Sequence, residues 1–66
     1  MNTADAIIIF RSVTPADCTL GEVWRDYCAE DDVTSWSADV YEDGDDEPIG
    51  FVCITKHEGM PRLTWL

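Results

Sequence analysis

Apolar residues along the chain fall into five runs, and the period within each run predicts an element. The first, AIIIFRSV at residues 6–13, is short, rich in β-branched side chains and stopped by a turn signal, which predicts a buried or central strand. TPAD follows, offering Thr14 as a helix N-cap, Pro15 at the first helical position and Asp17 where its charge suits the positive end of a helix dipole. From there Leu20, Val23, Trp24, Tyr27 and Cys28 recur at i, i+3, i+4, i+7 and i+8, the apolar stripe of an amphipathic helix. Glu22, Asp26 and Glu30 fall on its opposite side at steps of four. Such a row of like charges costs about 0.2–0.5 kcal/mol per neighbouring pair, less what Arg25 returns.

Period two takes over next. SWSADVYE, residues 35–42, sets Trp36, Ala38 and Val40 on one face and Ser37, Asp39 and Tyr41 on the other, the pattern of a half-buried strand. PIGFVCITK, residues 48–56, is apolar at both parities and so belongs mid-sheet, covered on at least one face by the helix. HEGMP reads as a Gly/Pro turn and RLTWL as a last strand. The expected order is β-α-β-β-β: a small α+β domain with one amphipathic helix packed on a four-stranded, mostly antiparallel sheet.

Length limits what such a fold can be. Sixty-six residues form one domain, 1–66, that buries only about 60% of the surface its unfolded chain exposes. The 45% apolar content, with three Trp, two Tyr and two Phe, is too high for a disordered acidic tail. Charge changes the picture more. Fourteen acids against four bases give a net charge of -10, which disfavours direct binding to nucleic acid or anionic lipid and favours basic partners. A nucleic-acid-binding protein, a polyamine or a divalent cation would fit. The acids are also grouped: YEDGDDEPIG holds Glu42, Asp43, Asp45, Asp46 and Glu47, and these together with Glu22, Asp26, Glu30, Asp31 and Asp32 make ten of the fourteen. Blocks of like charge often mark interaction surfaces. A polar hairpin loop in a salt-adapted protein would carry the same residues with no partner at all.

Candidate chemistry is sparse. A nucleophilic triad needs Cys or Ser beside His and an orienting acid, and the single histidine, His57, sits in an expected turn. Cys18, Cys28 and Cys53 lack the C-x-x-C pairing of a zinc site, and on one helix Cys18 and Cys28 would stand about 15 Å apart, too far for a disulfide. DGDDE offers oxygen ligands to calcium, but without the EF-hand order. No enzymatic activity, cofactor or resident metal is therefore expected. The opening MNTADAIIIFRS lacks a basic n-region and a long apolar run, so a cytosolic, reducing location is expected, with no membrane partner.

Two resemblances bear on function. IFRSVTPAD, the amphipathic segment after it, YEDGDDEPIGFVCI and PRLTWL resemble the first half of the GNAT-type N-acetyltransferases, which open with a strand, R-x-x-T-P-x-D, a helix and a hairpin whose second strand reads G-E-P-V-G-F. That family holds the acetyl-CoA pyrophosphate on a Q/R-x-x-G-x-G/A loop. Gly21, Gly44, Gly50 and Gly59 begin no such pattern, so the resemblance implies a related half-fold without acetyl transfer. It also implies an open strand edge at RLTWL, through which a weak homodimer or an oligomerising scaffold could form. In size, acidity and lack of a catalytic set, the chain is similar to the small DNA-mimicking anti-CRISPR proteins of phages. That profile implies a non-enzymatic inhibitor acting in the host cell cytoplasm. Its ten grouped carboxylates, with Trp36 or Tyr41 adding buried contact, would occupy a basic channel of a nucleic-acid-binding protein or CRISPR effector subunit, as in a type I complex, and exclude target DNA. A split or degenerate acetyltransferase half is the alternative reading.

Overall fold

The computed structural model describes residues 2–56 and 59–66; His57, expected in a turn, lies outside them. One helix, α1 (Thr3–Val13), lies on an antiparallel sheet of five strands: β1 (Cys18–Leu20), β2 (Trp24–Cys28), β3 (Val33–Glu42), β4 (Pro48–Thr55) and β5 (Arg62–Trp65). The α+β class and the single helix on a mostly antiparallel sheet are as expected, whereas the strand count and the element order are not.

Residues 6–13 are helical rather than extended, and the reasons lie at both ends of the segment. Asn2 is an extended N-cap whose Oδ1 accepts the Asp5 N–H at 2.9 Å, and Asp5 puts a negative charge in the first turn. Pro15 pushes the residue before it out of the helical region, and Thr14 accordingly sits at φ -77, ψ 127. Its N–H and hydroxyl both donate to the Phe10 carbonyl, at 3.0 and 2.7 Å, closing the last turn. Between these stops, an isoleucine costs a helix only a few tenths of a kcal/mol more than a straight-chain residue. Ala6 and Phe10, four apart, supply the fully buried face, while Ile8 points outward.

The expected helix over residues 14–30 is replaced by β1 and β2, which both pair with β3. Cys18 faces Glu42 and Leu20 faces Val40; farther along, Trp24 faces Ser37 and Cys28 faces Val33. Gly21 N–H donates to the Asp39 carbonyl at 2.8 Å, so residues 18–28 run along β3 as one interrupted edge strand. A central glycine costs a helix about 1 kcal/mol, and the free edge of β3 supplies backbone partners that a helix would leave unused. Here the glycine is needed for space: a Cβ at Gly21 would come within 2.9 Å of the Tyr41 ring and 3.1 Å of the Asp39 carbonyl. Two expectations fall with the helix. Glu22, Asp26 and Glu30 do not line a helix face, because Asp26 is on β2 and the other two are in the connections beside it. Cys18 and Cys28 sit at opposite ends of β3, about 30 Å apart at 3.4 Å per residue. All three cysteines are free.

The remaining strands follow their alternation. Trp36, Ala38 and Val40 on β3 and Val52 and Ile54 on β4 join Ala6 and Phe10 in the core, with Leu20 and Leu63 packed at its edge. Trp36 Nε1 donates to Thr3 Oγ1 at 3.2 Å, tying the start of the helix to the sheet. β4 lies between β3 and β5, as its apolar character at both parities predicts. Gly50 lets the last strand close over it, since a Cβ there would meet the Thr64 carbonyl at 2.6 Å and the Trp65 ring at 2.8 Å. Arg11 and Val13 end α1 and Thr14 is its C-cap, so the strand-then-helix order implied by the acetyltransferase resemblance is not the order found. No helix among the described residues is long and apolar enough to cross a membrane.

Candidate partner-binding surface

Because β1 and β2 share one edge of β3, the acidic residues are placed by the length of that strand. At its C-terminal end the β3–β4 connection turns at Gly44, φ +84, with Asp45 N–H donating to the Glu42 carbonyl at 3.0 Å, the geometry of a type II turn. Glu42, Asp43, Asp45, Asp46 and Glu47 are all exposed there. Asp17 joins them: its carbonyl accepts the Asp43 N–H at 3.2 Å, and the Thr19 hydroxyl donates to Asp43 Oδ1 at 2.8 Å. Six carboxylates thus gather at one end, and the turn is anchored to the edge strand by Asp43. Cys18 lies among them, its thiol pushed up first by burial, then by the charge of Asp17 and a hydrogen bond to it, and then by Glu42 and Asp43.

At the N-terminal end of β3, the turn from β2 carries Glu30, Asp31 and Asp32, with Asp26 on β2 itself. Asp32 holds φ 51, a left-handed conformation that aspartate tolerates better than most residues. The Tyr27 hydroxyl donates to Asp32 Oδ1 at 2.7 Å, and this bond, followed by desolvation, raises the phenol above its ordinary value of 10.0. Glu22 is exposed in the β1–β2 connection, between the two groups. The ten grouped carboxylates read from the sequence therefore do not meet at one point. They occupy two ends of a molecule 38 Å long, joined along the β1–β2 edge by Glu22 and Asp26.

Helix α1 runs along the same axis. Its first residues share a cavity with Thr34 and Lys56, and Arg11 in its last turn shares another with Cys18 and Thr19. The negative end of its dipole therefore lies toward the six-carboxylate end and the positive end toward the other. The two aromatic residues expected to face a partner take different places. Trp36 is 2% exposed under α1, because its parity with Ala38 and Val40 commits it to the core, and it cannot contact a partner. Tyr41 is half-buried beside Gly21. The aromatics exposed beside the acids are Trp24 and Tyr27 on the edge strand.

Asp17, the sixth carboxylate of the main cluster, has no local sequence signal, since only the pairing of β1 with the far end of β3 brings it there. Among the described residues, no three His, Cys, Asp or Glu side chains converge as a metal-ligand set. Compared with known protein families, curated proteins and solved structures, the chain matches none.

Proposed function

We propose that the protein acts without enzymatic chemistry, as an anionic decoy that occupies a basic nucleic-acid-binding groove and keeps the polynucleotide out. The observation that carries this reading is the acidic edge. Asp17, Glu22, Asp26, Glu30, Asp31, Asp32, Glu42, Asp43, Asp45, Asp46 and Glu47 are all exposed on the edge strand and the turns at its two ends. Along a molecule 38 Å in its longest extent, these eleven charges average about one per 3.5 Å, close to one strand of B-form DNA at about 3.4 Å and half the density of the duplex at about 1.7 Å. The distribution is bunched at the two ends, and a groove that contacts phosphates in two patches would accept it.

Docking would pair these carboxylates with the groove's cations and release the small ions each side held, so affinity falls as salt rises. Trp24 and Tyr27, exposed on the same edge, supply apolar contact where charge alone gives rate and selectivity more than affinity. The proposed setting is the host cell cytoplasm and the proposed target a DNA-binding complex of host defence, such as a type I CRISPR effector. The test is capture of basic complexes from a host lysate on the immobilised protein, followed by a gel shift with the duplex that the captured complex binds. The expected result is loss of the shifted band as the protein is added; a band that persists at saturating protein contradicts the reading.

A second reading has its own observation. β5 is the outer strand on the other side of the sheet, with Trp65 exposed on it and Leu66 exposed just after it, so a second copy could pair there. Sedimentation at low and high salt separates the two readings, since a decoy stays monomeric at both.

A further inference from the structure

Two of the chain's four basic side chains, Arg25 and Lys56, line one cavity of about 220 Å³ together with Asn2, Thr3, Thr34 and Trp36. The sheet register explains the meeting. Arg25 faces Trp36 across β2 and β3, so the two share the helix-bearing face; Thr34 lies two before Trp36, and Lys56 two after Ile54, on that same face. The sheet extends past the start of α1 here, and the cavity is the space between them.

None of the described lining residues is acidic, in a chain with fourteen acids. Neither cation has an ion-pair partner among the described residues. Asp32, at the same end of β3, accepts the Tyr27 hydroxyl instead. Two positive charges facing one concavity, unpaired among the described residues, repel each other, and a bound anion would relieve that repulsion. Other donors converge on it. Thr3 and Thr34 bring hydroxyls, and the Asn2 side chain caps the Asp5 N–H, leaving the Thr3 N–H at the positive end of the helix without an acceptor among the described residues.

We infer that this cavity binds the phosphoryl group of a small phosphate-bearing molecule, or free phosphate. A dianion matches the two cations, and tetrahedral oxygens can meet the guanidinium fork, the ammonium, the hydroxyls and the Thr3 N–H from different directions. The volume leaves room for waters as well, at roughly 30 Å³ each. Asp32, two residues before Thr34, and Asp26 beside Arg25, with Glu30 and Asp31 in the adjoining turn, repel a polyanion far more than a single phosphate, so the site selects a compact ligand over nucleic acid. This inference is independent of the decoy reading, which depends on the opposite charge.

The test is a titration with inorganic phosphate at constant ionic strength, balanced with chloride, followed through the amide signals of Thr3 and Ala4 and the indole N–H of Trp36. Saturable shifts of these three are expected, with binding weakened about tenfold for each cation removed in R25Q, K56Q and the double variant. Arg25 and Lys56 are exposed, so dispersed spectra of the variants verify the fold independently. R11Q, at the other end of α1, is expected to bind as the parent does. Adenosine monophosphate in a second arm distinguishes the sources: tighter binding than phosphate assigns an organic ester, equal binding assigns the free ion. Shifts that never saturate, that chloride alone reproduces, or that survive in the double variant overturn the inference.

Discussion

The two ends of β3 carry carboxylates in similar surroundings of turn and edge strand, yet they differ in what accompanies the charge. At the C-terminal end six carboxylates gather around one glycine turn, and the negative end of α1 points toward them. At the N-terminal end four carboxylates share the region with Arg25, Lys56 and the positive end of the helix. One helix lying along the sheet therefore polarises a molecule whose net charge is uniformly negative in sign. In the proposed reading the first end docks in a cationic groove, and by the further inference the second also holds an anion. Charge counting along a chain conceals this, because it assigns no direction to the helix.

Neutralising one end at a time gives the largest separation between them. Replacing Glu42, Asp43, Asp45, Asp46 and Glu47 by their amides is expected to lower the salt dependence of partner binding by about 4–5 in the log–log slope, at roughly 0.9 per charge. The same change at Glu30, Asp31 and Asp32 is expected to lower it by clearly less than roughly 0.9 per charge, because Arg25, Lys56 and the positive end of α1 share that end. Equal losses per charge at both ends would remove the distinction. Binding measured at several salt concentrations reads both slopes.

Smaller effects probe how each end is held. Asn2→Ala removes the cap of α1 at the cationic end and is expected to cost about 1 kcal/mol in urea unfolding. At the acidic end Thr19→Val breaks the hydroxyl bond to Asp43 and, at an exposed site, is expected to cost about 0.5 kcal/mol. Its amide shifts should be confined to the β3–β4 turn and β1, and shifts reaching Thr34 would mean that the two ends are coupled.

The smallest effect is a titration. The Tyr27 phenol is raised in the folded state, so the bond to Asp32 contributes stability below the unfolded value of 10.0 and loses it as pH climbs past the folded one. In a Tyr41→Phe background, where Tyr27 is the remaining tyrosine, Asp32→Asn is expected to move the phenolate absorbance midpoint down toward 10.0. An unmoved midpoint would mean that the Asp32 contact is not what raises it.

What could be read from the chain divides along similar lines. The alternation of Trp36, Ala38 and Val40, the two-parity run from Ile49 to Ile54 and the RLTWL alternation identify β3, β4 and β5, because a strand's facing is set residue by residue. Residues 6–13 mislead because three isoleucines look extended, while the countersignals lie outside the run: Asn2 three residues before Asp5, and Pro15 just beyond Thr14. Residues 20–28 mislead for the opposite reason. Their helical spacing is real, but Gly21 and an unsatisfied edge on β3 decide for strand, and only the second of these is non-local.

The loop carboxylates are visible as neighbours in sequence, whereas Asp17 reaches them through a pairing across more than twenty residues. Trp36 shows how a correct pattern can be applied wrongly. Its parity with Ala38 and Val40 already places it in the core, which is incompatible with a role in partner contact.

The most direct measurement is displacement of a fluorescent duplex from the captured basic complex, followed by anisotropy at a series of salt concentrations. The account predicts full displacement, with an inhibitor affinity whose salt slope falls by about 4–5 when the five loop carboxylates are amidated. Displacement that does not weaken as salt rises, or that is as strong with the amidated loop as without it, contradicts the claim that these carboxylates stand in for phosphates.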